Sequence, residues 1–251
     1  MIFKPGWVKD KIDERDKRYK VPLMKRFRPI PNMVDLRTKC PPIRNQGNLG
    51  SCTGFGAAFV YELALQIKGW IDPSELFAYY NARYIEHTTD EDAGAQIRDA
   101  IKGVVKYGLC SEKIWPYDEG KFAEEPPSAC YREAVHHKAL SYESIKPSVR
   151  DMQQVLADGW GITLGLYLYS SFFSDSTART GVIKIPNTSA ENFEGGHCCG
   201  ICGYDNDREV FILRNSWNTT WGDAGYGYLP FSYAVDESIA CDRWTITRVD
   251  M

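Results

Sequence analysis

Three polar side chains of this 251-residue chain can work together only if the fold brings distant segments into contact. Cys52 ends the stretch Asn45-Gln46-Gly47-Asn48-Leu49-Gly50-Ser51-Cys52, His197 follows Gly195-Gly196, and Asn215 opens Asn215-Ser216-Trp217. A fourth stretch runs from Trp221-Gly222-Asp223 to Gly225-Tyr226-Gly227. A thiol, an imidazole and a carboxamide in that order are the parts of a cysteine-nucleophile hydrolase in which an Asn, in place of an Asp, orients the imidazole. Cys52 and His197 are 145 residues apart, so the front of the chain must pack against the back.

The surroundings of each residue fit a role. Residues 51–67 read as a helix that is apolar on most sides and therefore buried, with Ser51 as its N-cap. Cys52 then falls in the first turn, where amides and the helix dipole favour an anion. A nearby imidazolium lowers the thiol further, so the expectation is a low-pKa Cys52. The glycines before His197 allow close approach, and the apolar run after it fixes its position. The Asn215 carbonyl can accept from one ring nitrogen and set the tautomer, and Trp217 can shield that bond from water. Gln46, six residues before Cys52, offers a donor to an oxyanion together with the Cys52 amide.

Helical periodicity recurs over residues 73–84, 96–107 and 149–157. From residue 161 the pattern changes to short β-rich runs, at 162–169, 181–185, 199–204, 210–214, 226–230 and 244–249. Helices first and strands later predict an α+β fold of two lobes, a mainly helical one over residues 34–135 and a β-rich one over 136–251. The site would lie in the cleft between them.

Bulk properties exclude several classes. Hydrophobic content of 43% supplies a core of ordinary size. A net charge of −3 argues against a nucleic-acid partner, and the longest apolar run, 160–169, is too short to span a bilayer. Pro5 and dense charge near the start predict that no secretory signal is present, and favour the cytoplasm or a virion or host-cell interior over secretion. Eight cysteines are then expected mostly as thiols, and the closely spaced Cys198, Cys199 and Cys202 read as small apolar residues of a strand. No metal or organic cofactor is required, and a monomer is expected.

The motifs resemble those of papain-like cysteine peptidases from residue 34 to about 248. Val34-Asp35-Leu36-Arg37 resembles the start of the family's mature domain, and Ile43 to Cys52 its nucleophile motif. Gly196-His197 and Asn215-Ser216-Trp217 with Trp221-Gly222 are similar to the other two, at the spacing such enzymes show. The resemblance implies a two-lobe papain-like fold, a Cys52–His197 dyad, orientation by Asn215 and oxyanion stabilisation by Gln46. It also implies a polypeptide substrate held near Gly94, Ala95, Ile97, Gly195, Gly196, Cys198 and Trp217. Leu49 stands where the family usually has a disulfide Cys, and Thr53 where it has Trp. Tyr107-Gly108-Leu109-Cys110 to Trp115-Pro116-Tyr117 resembles the compact microbial and viral branch exemplified by xylellain.

Residues 1–33 stand apart. They hold ten Lys or Arg against four acids, leaving 20 bases and 29 acids for the remainder. The expectation is a basic arm that lies on the body as a short propeptide covering part of the groove, or as a strap anchored by Trp7, Tyr19 and Phe27. The reading is therefore a cysteine endopeptidase made as a zymogen. Its rivals are an isopeptidase or transpeptidase built on the same residues, and an inactive papain-fold binding module.

Overall fold

Apolar and small residues on nearly every side of residues 52–65 place one helix at the centre of the molecule. The computed structural model describes residues 4–21, 29–65 and 72–250. In chain order, the front half carries β1 (Trp7–Val8), β2 (Met33–Asp35), α1 (Cys52–Leu65), α2 (Glu75–Glu86), β3 (Ala95–Gln96), α3 (Ile97–Lys106) and α4 (Ser128–Ala134). The back half carries β4 (Ala139–Ser144), α5 (Val149–Ala157), β5 (Ile162–Tyr169), α6 (Asp175–Thr180), β6 (Phe193–Asp205), β7 (Val210–Arg214), β8 (Tyr226–Pro230), α7 (Phe231–Val235) and β9 (Ala240–Val249). This is an α+β architecture.

The strands of the back half form one antiparallel sheet in the order β4-β9-β5-β6-β7-β8. β2 leaves the front half to pair with β6, setting Val34 against Tyr204. α1 packs on α2 and α3 on one side and on β6 and β9 on the other. Its small residues permit this, because a Cβ on Gly56 would come within 2.6 Å of the Cys198 sulfur and one on Gly54 would meet the carbonyl of Glu75. Ser51 opens α1 through its carbonyl, which accepts from Phe55 N–H, while its hydroxyl bonds the Tyr117 phenol at 2.6 Å. The expected end of α1 at Ile67 lies outside the described residues.

Several expected elements change length. The strand expected over 181–185 is reduced to a single bridge, Val182 to Tyr228. Gly181, at φ +69°, ends α6 and turns the chain away before pairing can extend. β6 begins six residues earlier than expected, because Phe193 to Gly196 pair with β5 instead of forming a loop. β4 was not expected; it is a half-exposed edge strand with little alternation.

Candidate active site

The loop before α1 is tied to both halves of the chain. Gln46 N–H donates to Ser216 O at 2.9 Å, and Asn45 bridges to Trp217. Gln46 O accepts from the Tyr117 hydroxyl at 2.7 Å, and Gln46 Oε1 accepts from Ser216 Oγ at 2.6 Å. With its oxygen held, the amide must aim its Nε2 hydrogens elsewhere. They reach Leu49 O at 2.9 Å and Lys4 O at 3.1 Å. Arg44, two residues earlier, is paired with Glu62, Glu75 and Asp72, which anchors the loop to α1 and α2.

β6 and the turn after β7 deliver the other two groups. His197 stands opposite Leu166 of β5 and is fully buried. Its Nε2 lies 2.9 Å from Asn215 Oδ1, which also accepts from Ser216 N–H at 2.8 Å. Asn215 is held by its own amide on Gly225 O at 3.0 Å. Trp217 stacks on the imidazole at 4.7 Å between centroids and is itself packed by Phe173 and Trp221. That covers the His197–Asn215 bond with apolar surface, as the sequence suggested. His197 Nδ1 is buried without a hydrogen-bond partner among the described residues. The next residue, Cys198, donates its amide to Cys52 Sγ at 3.4 Å, so thiol and imidazole come from adjoining points of α1 and β6.

The arm lies across these residues. β1 pairs with β3 in parallel, Trp7 against Ala95, and Gly6 O accepts from Ala95 N–H at 2.9 Å. The Gly6 amide bonds the Cys52 sulfur. Any side chain at Gly6 would collide with the backbone of Gly50, so only glycine lets the chain pass so close to the Cys52 thiol. Pro5 abuts Gly195, and Trp7 covers Gly196 and Gly165 with its ring 4.9 Å from that of Tyr167. Trp7 is 5% exposed. Further along, Tyr19 N–H bonds Ser144 O at 2.8 Å and its hydroxyl bonds Asp158 at 2.6 Å. Trp7 and Tyr19 are thus both engaged; Phe27 lies outside the described residues.

The burial of Cys52 opposes the low-pKa expectation for it. Desolvation pushes the thiol up to about 11, against amide hydrogen bonds from Cys198 and Gly6 that favour the thiolate. Desolvation also pulls His197 down to about 4 despite its bond to Asn215. The helix terminus and a neighbouring imidazolium favour the thiolate, but desolvation of the fully buried sulfur outweighs them. Both shifts favour a thiol and a neutral imidazole over the charged pair.

Of the residues expected to hold substrate, Gly94, Ala95, Gly195 and Gly196 contact the arm, and Trp217 covers His197. Ile97 is fully buried at the start of α3, and the Cys198 side chain is packed against α1, so both belong to the core. Sequence reasoning missed Asp92, which accepts from Gly50 N–H, from Tyr79 and from Lys4 of the arm. It also missed Asp242, which accepts from the Trp7 indole at 3.0 Å. Neither lies in a recognisable motif. All eight cysteines are free thiols, and among the described residues no group of His, Cys, Asp or Glu is suited to a metal.

Comparison with known proteins agrees with this geometry. Residues 30–241 match the family described as papain family cysteine protease. An uncharacterized peptidase C1-like protein of Acanthamoeba polyphaga mimivirus is 35% identical over 270 aligned positions, covering 97% of this chain and 86% of the relative. The crystal structure of xylellain, a cysteine protease from Xylella fastidiosa, superposes with a TM-score of 0.89 at 30% identity, over 98% of this chain and 96% of that one. The proCathepsin B structure from Trypanosoma congolense shares the fold at 15% identity, with a TM-score of 0.79 over 98% of this chain and 87% of that one.

Proposed function

We propose, from the premise that the chain belongs to the papain family of cysteine proteases, that it is an endopeptidase restrained by its own arm. Cys52 is the nucleophile: its sulfur attacks the scissile carbonyl while its proton passes to His197. Gln46 Nε2 and the Cys52 amide receive the oxyanion. His197 then protonates the leaving amine, and water, deprotonated by the same ring, hydrolyses the thioester. Asn215 keeps Nε2 engaged so that Nδ1 is the nitrogen free to exchange protons.

One observation carries the reading. An extended polypeptide, the arm, already runs along the groove, with Lys4 O on the Gln46 donor and Gly6 O on the Ala95 amide. The groove therefore accepts main chain, and the donor meant for an oxyanion is occupied while the arm is down. This supports peptide substrates, and it supports gating by displacement or cutting of the arm. Gly94, Ala95, Gly195 and Gly196 would then hold substrate main chain once the arm is gone. The family resemblance extends to proforms of other cysteine peptidases, which is consistent with a zymogen.

The test is an epoxide or vinyl-sulfone inhibitor mapped by mass spectrometry, together with cleavage of a peptide library. Label on Cys52 alone, and cleavage abolished by Cys52→Ala with melting temperature retained, are expected. Label spread over several of the eight thiols, or activity that survives Cys52→Ala, refutes the mechanism.

A further inference from the structure

Cys40 and Cys202 come from distant parts of the chain and meet at their sulfurs. Cys202 lies in β6 where that strand bulges: Ile201 pairs with Leu213 and Gly203 with Ile212, which leaves Cys202 as the extra residue. A bulge re-aims the side chain it carries. At the other edge of β6, Leu36, the residue after β2, donates its N–H to Cys202 O at 2.8 Å. One short turn (Arg37–Lys39) then brings Cys40 back, with its N–H on Leu36 O at 3.1 Å. The two thiols are hydrogen-bonded to each other. The S–H of Cys202 has two acceptors, Ile212 O at 3.6 Å and the Cys40 sulfur. We propose that Cys40 and Cys202 are a redox pair that hydrogen peroxide converts to a disulfide, joining the segment that leads to Gln46 to the strand that carries His197.

One thiol of the eight combines access with a stabilised thiolate. Cys40 is partly exposed, whereas the other seven are buried. It borders an open cavity of about 690 Å³, which admits a molecule as small as the peroxide. Arg214 is fixed beside it by bonds to the next two carbonyls, Pro41 O at 2.8 Å and Pro42 O at 2.6 Å. The Cys202 hydrogen bond and that guanidinium lower the Cys40 thiol, against burial and the charges of Asp35 and Glu62. Burial raises the other seven, Cys202 among them. An accessible, low-pKa thiol beside a resolving thiol is the arrangement of a redox-sensing cysteine. Cys110 and Cys130 supply the contrast. They too are hydrogen-bonded to each other, but both are fully buried and both are raised.

The chemistry balances with one peroxide per disulfide. The Cys40 thiolate attacks a peroxide oxygen and the O–O bond breaks. The hydroxide that leaves takes up the proton the thiol had lost, giving water and a sulfenic acid on Cys40. The Cys202 sulfur then attacks the Cys40 sulfur and displaces its oxygen, which takes the Cys202 proton and departs as a second water. Each sulfur gives up one electron, and the peroxide is reduced to two waters. Cys202 need not ionise beforehand, because its proton leaves with the oxygen it displaces. A dithiol reductant reverses the bond by thiol–disulfide exchange.

The test uses the full chain carrying Cys52→Ala, so that it does not depend on peptide cleavage. The folded protein is treated with hydrogen peroxide, quenched by alkylation, digested without reduction and mapped by mass spectrometry. A Cys40–Cys202 cross-link should form at least about tenfold faster than a Cys110–Cys130 one, since each unit of pKa is about tenfold in thiolate. Dithiothreitol should return both residues to thiols. Adding Cys202→Ser should stop the reaction at a Cys40 sulfenic acid, which dimedone traps. Cys40→Ser, at a partly exposed position, serves should Cys202→Ser misfold; in it Cys202 should stay a thiol under the same peroxide. No Cys40–Cys202 cross-link in the folded chain, a Cys110–Cys130 cross-link that forms as fast, or Cys202 oxidised as fast without Cys40, overturns the pair.

Discussion

Replacing Trp7 by Ala should release the arm without disturbing the groups that would do the chemistry. The indole is 5% exposed and lies over Gly165 and Gly196 against Tyr167. Burying an aromatic side chain of roughly 150–250 Å² at about 25 cal/mol/Å² contributes about 4–6 kcal/mol. Its N–H on Asp242 adds roughly 1.5 kcal/mol as a bond to a charged acceptor. Large-to-small losses of this kind come to about 3–5 kcal/mol, because the free arm is itself partly collapsed. That corresponds to roughly a 150- to 5,000-fold weaker docking equilibrium. The assay is cleavage of a fluorogenic peptide by the full chain, with no activating treatment, beside the melting temperature. kcat/KM should rise at least about tenfold and stop rising when the arm is mostly free. Trp7→Phe, which keeps most of the ring and loses the donor, should fall between. An unchanged kcat/KM, with the Ala95 amide as protected as in the parent, would show that Trp7 does not hold the lid. A collapse of melting temperature without activation would make the arm a strap needed for the fold.

Gln46→Ala, measured in the Trp7→Ala background so that the arm does not mask it, should lower kcat by about 10²–10³ with KM little changed. A loss below about threefold would make Gln46 a brace for Ser216 and Tyr117, both of which it also bonds. Asn215→Ala should cost less than His197→Ala, since the ring keeps its proton-transfer role while losing one partner, and equal losses would refute that ranking.

The chain states its candidate site more clearly than it states the path of its arm. Cys52, His197, Asn215 and Gln46 stand in short runs whose residue types are set by chemistry, so the positions could be read before any fold was known. The strand at residues 162–169 and the helix at 149–157 were legible for a different reason: each buries one consistent pattern, and their observed limits match the periodicity. β4 buries little and so leaves little pattern. The arm was legible only as charge, and among the described residues charge is a small part of its hold. One ion pair, Lys4 with Asp92, has the expected polarity, and another, Arg98 with Asp16, has the reverse. Strand pairing with β3 and the burial of Trp7 carry more, and both depend on which surface the arm finds. Asp242 illustrates the limit, because its left-handed backbone inside a strand has no signature in Cys241-Asp242-Arg243-Trp244.

Under the arm-gated reading proposed above, inhibition by the arm would have two components, which differ in what removes them. The first is occupancy: Lys4 O sits on the Gln46 donor and Gly6 O on the Ala95 amide, so a substrate finds its main-chain contacts taken. The second is desolvation. Cys52 and His197 are fully buried, and desolvation drives the thiol to about 11 and the imidazole to about 4. At neutral pH proton transfer between them is then uphill, because a thiolate and an imidazolium would have to form in a dry site. Competition by a peptide could relieve occupancy alone, but only departure of the arm lets solvent reach the pair. A covalent inhibitor too small to need the groove contacts should therefore still react slowly with the closed chain, and its rate should follow arm opening. Iodoacetamide meets that condition. Its second-order rate with Cys52 should rise in Trp7→Ala in step with peptide cleavage. A rate already fast in the unsubstituted chain would mean that the arm blocks the groove without silencing the thiol.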